Sequence, residues 1–521
     1  MIKTDNGIFY MTAGEACYIA RSVSGRLKSV WFGARIEPED DIFGDGFMPD
    51  ELELVVDGEV AELAVSSFDV VDKREFYDFS SIPSIRGGDT LNVRMRGVNS
   101  AVEVDLYYTP YSRGGIARRV VVRNVGSKDI SVKAKLCVPS VGEIGREKNY
   151  VEISGDGTLC AAAVYGGKYE LDYADSVLKC AVEEDIVIQQ DGVFVSPEVL
   201  FVHTDGDGNK AARIYHDIVR EYIIDEKFSD ERRPVALLCA GLKNSSAVAT
   251  AKQIGTDALV VQCKSGVKTD ELSALMTECR DDGLKFGVAF DITNQNIDKA
   301  LSDIKRAIAV GADIISVRPF DGESGYRYWE KVYAFLREVF QAAEQPLLVG
   351  NADLGCLCFC ALCHGDVKVI PPCARSMVVT GARGSLKTEF DLASIGCLSY
   401  ALDIGALNDG IKRAVRAQIF SYQDDADLVM SGDIYIRHDG IGSVTAVVSK
   451  DKSSAYAVFT RGIGRGRAKL YGLDTHNLYR VREIGKTLSG AAIRNVGVEL
   501  PDDLSEGETL SLHLIQVADY D

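Results

Sequence analysis

The sequence predicts a multidomain protein: an N-terminal β-sandwich, a central (β/α)8 barrel of the TIM type, and a C-terminal antiparallel β-sandwich domain. Three observations predict this order. Alternating apolar and polar residues without a helical period fill 1–205, apolar runs alternate with amphipathic segments over 233–430, and alternation returns over 431–521. Period-two patterns indicate half-buried strands, and repeated strand–helix units indicate a parallel sheet covered by helices.

The first unit is predicted from many short strands separated by turns. Runs such as 101–107, 116–122 and 130–136 alternate, and no helical pattern interrupts them. Such a series predicts a large sandwich, a β-supersandwich, over 1–205. Over 206–232 the apolar residues recur at helical spacing, which predicts a linker helix leading into the barrel.

The barrel is predicted from eight apolar runs within 233–430. They begin near Val235, Ala258, Phe286, Ile314, Leu347, Val367, Met377 and Cys397. Eight strand–helix units favour a closed barrel over an open sheet. The later units are short, so a degenerate barrel that has lost a helix is the alternative. A helix over 409–428 completes this unit, and the small β domain occupies 431–521.

Composition restricts the class of protein. The 521 residues carry a net charge of −19, which disfavours nucleic acid and anionic membranes as partners but leaves neutral ligands such as sugars unaffected. No apolar run approaches the roughly 20 residues of a membrane helix. The start shows no signal-peptide pattern, and the 13 cysteines are scattered and odd in number. We therefore expect a cytoplasmic protein.

Several segments, in their shared order, resemble glycoside hydrolase family 36, the bacterial α-galactosidases. They include 116–126 (IARRVVVRNVG), 196–205 (SPEVLFVHTD), 232–235 (RRPV) and the C-terminal stretch 431–481. The resemblance covers nearly the whole chain. It implies the sandwich–barrel–β-domain order, hydrolysis of α-galactosides with retention, and assembly into a homo-oligomer. Retention needs two carboxyls about 5 Å apart, a nucleophile and an acid/base.

The chain departs from that family at the residues that perform the reaction. The resemblance places the nucleophilic aspartate at the end of the fourth strand, where this sequence has Arg318. It places the acid/base after the sixth strand, where 367–373 supplies Pro372 or Cys373. The sugar-binding motifs are also replaced. A guanidinium stays protonated and is not nucleophilic. We therefore predict a catalytically inactive member, a pseudoenzyme with a scaffold or carbohydrate-related role.

Polar residues after the third, fourth and fifth predicted strands are the candidate substrate-binding residues: Asp291, Arg318, Asp321, Asn351 and Asp353. Carboxyl ends of barrel strands face the site. We expect Arg318 to pair with Asp291, Asp321 or Asp353 and to fill part of the sugar cavity, so that galactose binds weakly.

Three alternatives stay open for these residues. In the first, the acidic residues are solvated surface groups. In the second, Asp291 and Asp321 are relocated catalytic acids of an active α-glycosidase. In the third, the chain is a purely structural, oligomeric subunit. The expected partners are a saccharide, a second copy of the chain, or an active paralogue.

A cysteine cluster precedes the predicted sixth strand: Cys356, Cys358, Cys360 and Cys363, followed by His364. Thiolates beside an imidazole are zinc ligands, but the spacing is not that of paired CxxC motifs. Cysteines that alternate with Leu357 and Phe359 also fit buried thiols. We expect reduced cysteines, no metal and no cofactor.

Overall fold

The N-terminal region forms three antiparallel sheets. This computed structural model describes the chain except for 38–47, 73–79, 148–149, 229–231, 242–245, 264–265, 267, 293–296, 320–324, 345, 351–353, 383 and 518–521. Its first strands are β1 (Ile2–Asp5), β2 (Ile8–Ala13), β3 (Ala16–Val23), β4 (Arg26–Ala34), β5 (Leu52–Val56), β6 (Glu59–Val60), β7 (Leu63–Asp72), β8 (Asp89–Gly97), β9 (Val102–Pro110) and β10 (Gly115–Asn124).

The strands that complete these sheets are β11 (Ile130–Pro139), β12 (Glu143–Glu147), β13 (Tyr150–Ser154), β14 (Thr158–Ala163), β15 (Tyr169–Ala174), β16 (Val177–Val182), β17 (Ile186–Ile188), β18 (Val193–Val195) and β19 (Val199–Thr204). One sheet is β1-β2-β3-β4, and a second is β15-β16-β11-β5-β6 with β17 beside β11. The nine-stranded third sheet is β12-β13-β14-β19-β10-β9-β8-β7, with β18 beside β10. The predicted antiparallel N-terminal region is confirmed.

A linker helix joins the three parts of the molecule. It is α1 (Gly208–Ile218), continued by a π-helical turn over Val219–Ile223, and it begins where Asp207 accepts hydrogen bonds from two backbone amides. Tyr215 donates to the Leu200 carbonyl of β19 at 2.7 Å, and His216 Nε2 lies 2.8 Å from the Val367 carbonyl. Asn209 bonds the backbone of Ile436 in both directions.

The central region is a curled, all-parallel sheet flanked by helices. Its strands are β20 (Ala236–Cys239), β21 (Ala258–Cys263), β22 (Lys285–Ile292), β23 (Ile314–Pro319), β24 (Leu347–Gly350), β25 (Ser376–Val379) and β26 (Cys397–Tyr400), in the order β24-β23-β22-β21-β20-β26-β25. Its helices are α2 (Ala247–Ile254), α3 (Thr269–Asp281), α4 (Ile297–Val310), α5 (Tyr326–Ala342), α6 (Leu386–Ala393) and α7 (Asp409–Ser431). The predicted TIM-like character is confirmed.

The predicted sixth strand at Val367 is wrong. Residues 367–370 form a turn, and among the described residues a two-residue bridge joins the two sheet edges. Leu362 pairs with Val349 of β24, and Cys363 pairs with Arg375 next to β25. The amide of Gly350 donates to the Leu362 carbonyl at 2.7 Å. The physical reason is that prolines 371 and 372 donate no N–H to a strand ladder.

The alternative prediction is a degenerate barrel that has lost a helix. The connection without an α-helix among its described residues is the one between β24 and β25. There the described residues form only short 3-10 turns, Leu354–Cys358 and Pro372–Ala374. The later barrel units are therefore the reduced ones, as their short sequence runs indicated. None of the helices in the described part of the chain is long and apolar enough to cross a membrane.

The C-terminal region is antiparallel, as predicted, with one sheet among its described residues. Its elements are β27 (Asp433–Asp439), β28 (Gly442–Val448), β29 (Ser454–Arg461), β30 (Leu478–Val481), β31 (Lys486–Ser489), α8 (Gly490–Asn495) and β32 (Thr509–Val517). The sheet order is β27-β28-β29-β32-β30-β31. Irregular segments and α8, rather than a second sheet, cover one face, where Leu470, Ile493 and Val498 pack on buried strand residues.

Candidate functional site

The carboxyl end of the central sheet brings chemically active side chains together. Within the seven strands β20–β26, all described, Asp291 is the single carboxylate. It is the penultimate residue of β22 and is exposed, whereas the preceding residues of that strand from Phe286 onward are buried. The strand sequence therefore anchors Asp291 in the core and leaves its carboxylate at the sheet edge.

Asp291 and Arg318 are adjacent across two parallel strands. They are direct register partners, Asp291 on β22 and Arg318 on β23. Gln262, near the end of β21, pairs with Ala289 in register and donates its side-chain amide to the Asp291 carboxylate. Because alternate residues of a strand share a face, the side chains of these three polar residues project from the same side of the sheet. Together they form a row that consists of a hydrogen-bond donor (Gln262), an acceptor (Asp291) and a cation (Arg318).

Arg318 is half-buried and follows the buried residue Val317, so its stem is anchored in the sheet. None of the ion pairs found among the described residues includes Arg318. Its register partner Asp291 has other interactions, including the one with Gln262. The two other expected partners, Asp321 and Asp353, and the candidate Asn351 lie outside the described residues. Pairing of Arg318 with Asp321 or Asp353 therefore stays a prediction.

His364 is a site residue that the sequence did not single out for this role. It directly follows the Leu362–Cys363 bridge and is exposed. Burial among protein atoms, then the positive charges of Arg318 and Arg375, lower the pKa of His364 below 6.5. His364 is therefore neutral near pH 7 and can donate and accept a hydrogen bond beside Arg318.

No periodic pattern singles out His364, because the bridge that it follows is only two residues long. The sequence instead predicts the acid/base position after 367–370, at Pro372 or Cys373. Both residues lie in the 3-10 turn Pro372–Ala374, which leads into the amino end of β25. The prediction that Pro372 or Cys373 follows a sixth strand is therefore wrong, because 367–370 is not a strand. The residue that follows the bridge is His364.

The cysteine cluster is a set of buried thiols. Cys356, Cys360 and Cys363 are buried, and Cys358 is partly buried. Burial raises the pKa of the Cys360 thiol to about 12, so it is protonated rather than a metal-binding thiolate at neutral pH. No group of three or more His, Cys, Asp or Glu side chains among the described residues could hold a metal ion. The absence of metal in the protein itself stays a prediction.

Comparisons with known proteins identify a shared fold. No protein-family model matches the chain. Alpha-galactosidase AgaA of Geobacillus stearothermophilus is 30% identical over 129 residues, which are 23% of this chain and 18% of that protein. The chain therefore matches less than a fifth of the length of this curated relative.

Solved structures match over nearly the full length. The galactosidase domain of the alpha-galactosidase–sucrose kinase AgaSK superposes with a TM-score of 0.82 at 16% identity, covering 99% of this chain and 100% of that one. The alpha-galactosidase of Lactobacillus brevis gives 0.81 at 15% identity, over 99% and 98% of the two chains. AgaA itself, a member of glycoside hydrolase family 36, gives 0.80 at 17% identity, over 98% and 100%. These likenesses show the fold of family 36 α-galactosidases.

Proposed function

We propose that this chain is a non-hydrolytic protein with the fold of family 36 α-galactosidases and a scaffold or carbohydrate-related role. The single observation that carries the proposal is Arg318 at the end of β23, in register with Asp291. That is the position to which the resemblance assigns the nucleophile. Asp291 alone supplies a carboxylate from the seven described strands, and the retaining reaction needs two.

The chemistry of Arg318 opposes the retaining mechanism in two ways. A guanidinium cannot attack the anomeric carbon, so no glycosyl ester forms. Its positive charge also destabilises the oxocarbenium-like transition state, which two carboxylates would stabilise by opposite charge. His364 cannot replace a carboxylate either, because an imidazole is neutral or positive and carries no negative charge.

A polar ligand at the barrel mouth is consistent with the row Gln262, Asp291 and Arg318. An amide, a carboxylate and a guanidinium on one face offer both donors and acceptors, which is what sugar hydroxyls require. Variants of AgaA have been crystallised with raffinose and with stachyose. By analogy we propose a saccharide as ligand, with Asp321, Asn351 and Asp353 as further candidate binding residues.

Hydrolysis of a chromogenic α-galactoside by highly purified protein tests the proposal. We expect a rate indistinguishable from that of a mock purification from the same host, while AgaA assayed in parallel is active. Loss of a nucleophile removes many orders of magnitude in rate, beyond what remaining binding groups restore. Turnover well above the mock rate that disappears in Asp291→Asn would refute the non-hydrolytic function.

One alternative keeps the chain as an enzyme. Asp291 is an exposed carboxylate near the end of β22, and it accepts a hydrogen bond from Gln262. In this alternative Asp291 and Asp321 are relocated catalytic acids of an α-glycosidase. The two functions differ in the response to Arg318→Ala, which leaves a relocated pair intact and so preserves its turnover. A purely structural subunit would show neither turnover nor ligand binding at the barrel mouth.

A further inference from the structure

A polar cavity lies on the nine-stranded sheet of the N-terminal region, outside the barrel. Its volume is about 350 Å³, within the range of small-molecule sites, about 300–1,000 Å³. The residues that line it and matter here are Asn92, Arg94, Asp105, Tyr107, Arg123 and the adjacent serines 66 and 67. Ser66 is the extra residue of a β-bulge in edge strand β7, between Val65 and Ser67.

The register of three strands assembles this cavity. Asp69 of β7 pairs with Asn92 of β8, which pairs with Tyr107 of β9. Arg94, two residues after Asn92 and on the same face, pairs in register with Asp105. The opposite face of β8 carries Leu91, Val93 and Met95 into the hydrophobic core. The polar face is therefore the outer one, which a two-layer sandwich normally leaves in water.

Asn92 is the unusual residue of this face. It is 0% exposed, yet neither its Nδ2 nor its Oδ1 has a hydrogen-bond partner in the described part of the chain. Oδ1 of its register neighbour Asp69 is likewise buried without a partner there. Unpaired buried polar groups are rare in folded proteins because they lose their hydration without compensation. A donor and two acceptors therefore lie side by side and unused.

The charges around the cavity cancel. Arg94 lies 3.2 Å from Asp69 and 3.6 Å from Asp105, and Arg123 also bonds Asp105. Arg96, at one end, pairs with Glu103 at 3.4 Å. Three guanidiniums are thus balanced by three carboxylates, those of Asp69, Glu103 and Asp105. A site with balanced charge and unused hydrogen-bonding groups suits a neutral polyhydroxylated molecule better than an anion, which would have to break these pairs.

We infer that this cavity binds a neutral saccharide of one or two sugar units, with the side chain of Asn92 donating to one hydroxyl and accepting from the next. The serines at the bulge contribute along the rim. The inference does not depend on what the barrel mouth does. It gives a chain with a galactosidase fold a sugar-binding site on its β domain, separate from the carboxyl ends of the barrel strands.

The first test asks whether Asn92 is unpaired in the free protein. Asn92→Leu replaces the amide by an apolar group of similar size, so the melting temperature should stay the same or rise. The matched control is Asn124, 1% exposed in the same sheet, whose Nδ2 donates to the Lys128, Ile188 and Gln189 carbonyls. Asn124→Leu should lower the melting temperature. An equal loss in Asn92→Leu would overturn the inference.

The second test measures ligand binding by thermal shift and calorimetry on the full chain. The probes are galactose, glucose, melibiose and maltose, with galacturonate as the charged comparison. We expect at least one neutral sugar to raise the melting temperature of the wild type and of Arg318→Ala, and to have no effect on the double variant Arg318→Ala, Asn92→Leu. Absence of any shift, preference for galacturonate alone, or a shift that survives in the double variant overturns the inference. A shift lost in Arg318→Ala assigns the sugar to the barrel mouth and overturns it also.

Discussion

Arg118 and Glu51 form an ion pair that is wholly enclosed by the N-terminal sheets. Both side chains are fully buried. Arg118 also donates to the Cys137 carbonyl at 2.8 Å and to the Glu51 carbonyl at 3.1 Å, and Tyr18 donates to the Glu51 carboxylate at 2.7 Å. The guanidinium lies over the ring of Tyr108, 4.9 Å from its centroid. This network connects β3, β9, β10, β11 and the residue before β5 inside one core.

Removing one partner of this pair should destabilise the protein strongly. Arg118→Met leaves the Glu51 carboxylate buried without its cation, which costs about 3–5 kcal/mol of the free energy of unfolding. Urea denaturation of the two proteins measures the difference. The exposed pair Lys305–Glu338, 3.2 Å apart, is the control, and Lys305→Met should cost less than about 1 kcal/mol. Equal losses for the two variants would mean that Arg118 is better hydrated than its burial indicates.

His513 should make stability depend on pH at the alkaline side of neutrality. Its ring lies between Asp425 of α7 at 2.7 Å and Glu483 at 2.5 Å, so it connects the barrel's last helix to the C-terminal sheet. Burial alone would lower the pKa of His513, but its bonds to the two carboxylates outweigh this and raise it to about 9.

The direction in which stability changes with pH follows from the raised pKa of His513. The folded state holds the proton more tightly than the unfolded chain, so the stabilisation is complete below about pH 6.5 and is lost as pH rises towards 9. The loss is on the order of 3 kcal/mol. His513→Gln should flatten this part of the stability curve, measured by urea denaturation at several pH values. His476→Gln is the control, because the side chain of His476 is 92% exposed. An unchanged curve in His513→Gln would contradict the assignment.

The neighbourhood of His364 and Arg318 can be measured directly. Arg318→Met removes a positive charge that lowers the pKa of His364, so this pKa should rise towards 6.5. NMR titration of the histidine ring protons reports the change. Arg480→Met, an exposed position on β30, should leave the titration of His364 as it is in the wild type. If both variants titrate alike, Arg318 does not face His364.

The cysteine cluster should be reduced and free of metal in the purified protein. Burial raises the pKa of the Cys360 thiol to about 12, which keeps it protonated at neutral pH, and Cys356 and Cys363 are buried as well. Elemental analysis after dialysis should find far less than one zinc per chain, and denatured protein should react with thiol reagents at all 13 cysteines. Stoichiometric zinc that is lost in Cys358→Ser and Cys363→Ser would contradict this.

The sequence predicted most elements of the central sheet because apolar runs and amphipathic segments are local patterns. Seven of the eight predicted strands are present, and the helix predicted over 409–428 is α7, Asp409–Ser431. Strand order also predicted that Asp291 and Arg318 would lie at the same edge of the sheet, because neighbouring parallel strands end there, but the ion pair expected between them is not among those found in the described residues. The prediction of a sixth strand at Val367 is wrong because two prolines follow that apolar run. Proline has no backbone N–H to donate to a strand ladder, and a hydrophobic pattern does not show this.

Some features of the site depend on which segments become neighbours. Leu362 and Cys363 form the bridge because Val349 and Arg375 are positioned on either side of them, and that bridge brings His364 into the site. The bond from Gln262 to Asp291 likewise depends on register between strands.

By itself the sequence determined which side of β8 is apolar, since alternation alone sends Leu91, Val93 and Met95 to the core. It placed Asn92 and Arg94 on the opposite face, where they would be expected in water. Only the tertiary structure decided that Asn92 is buried there and lines a cavity. The physical reason is that periodicity along one strand fixes the direction of a side chain, whereas its burial and its partners depend on segments that are distant in sequence.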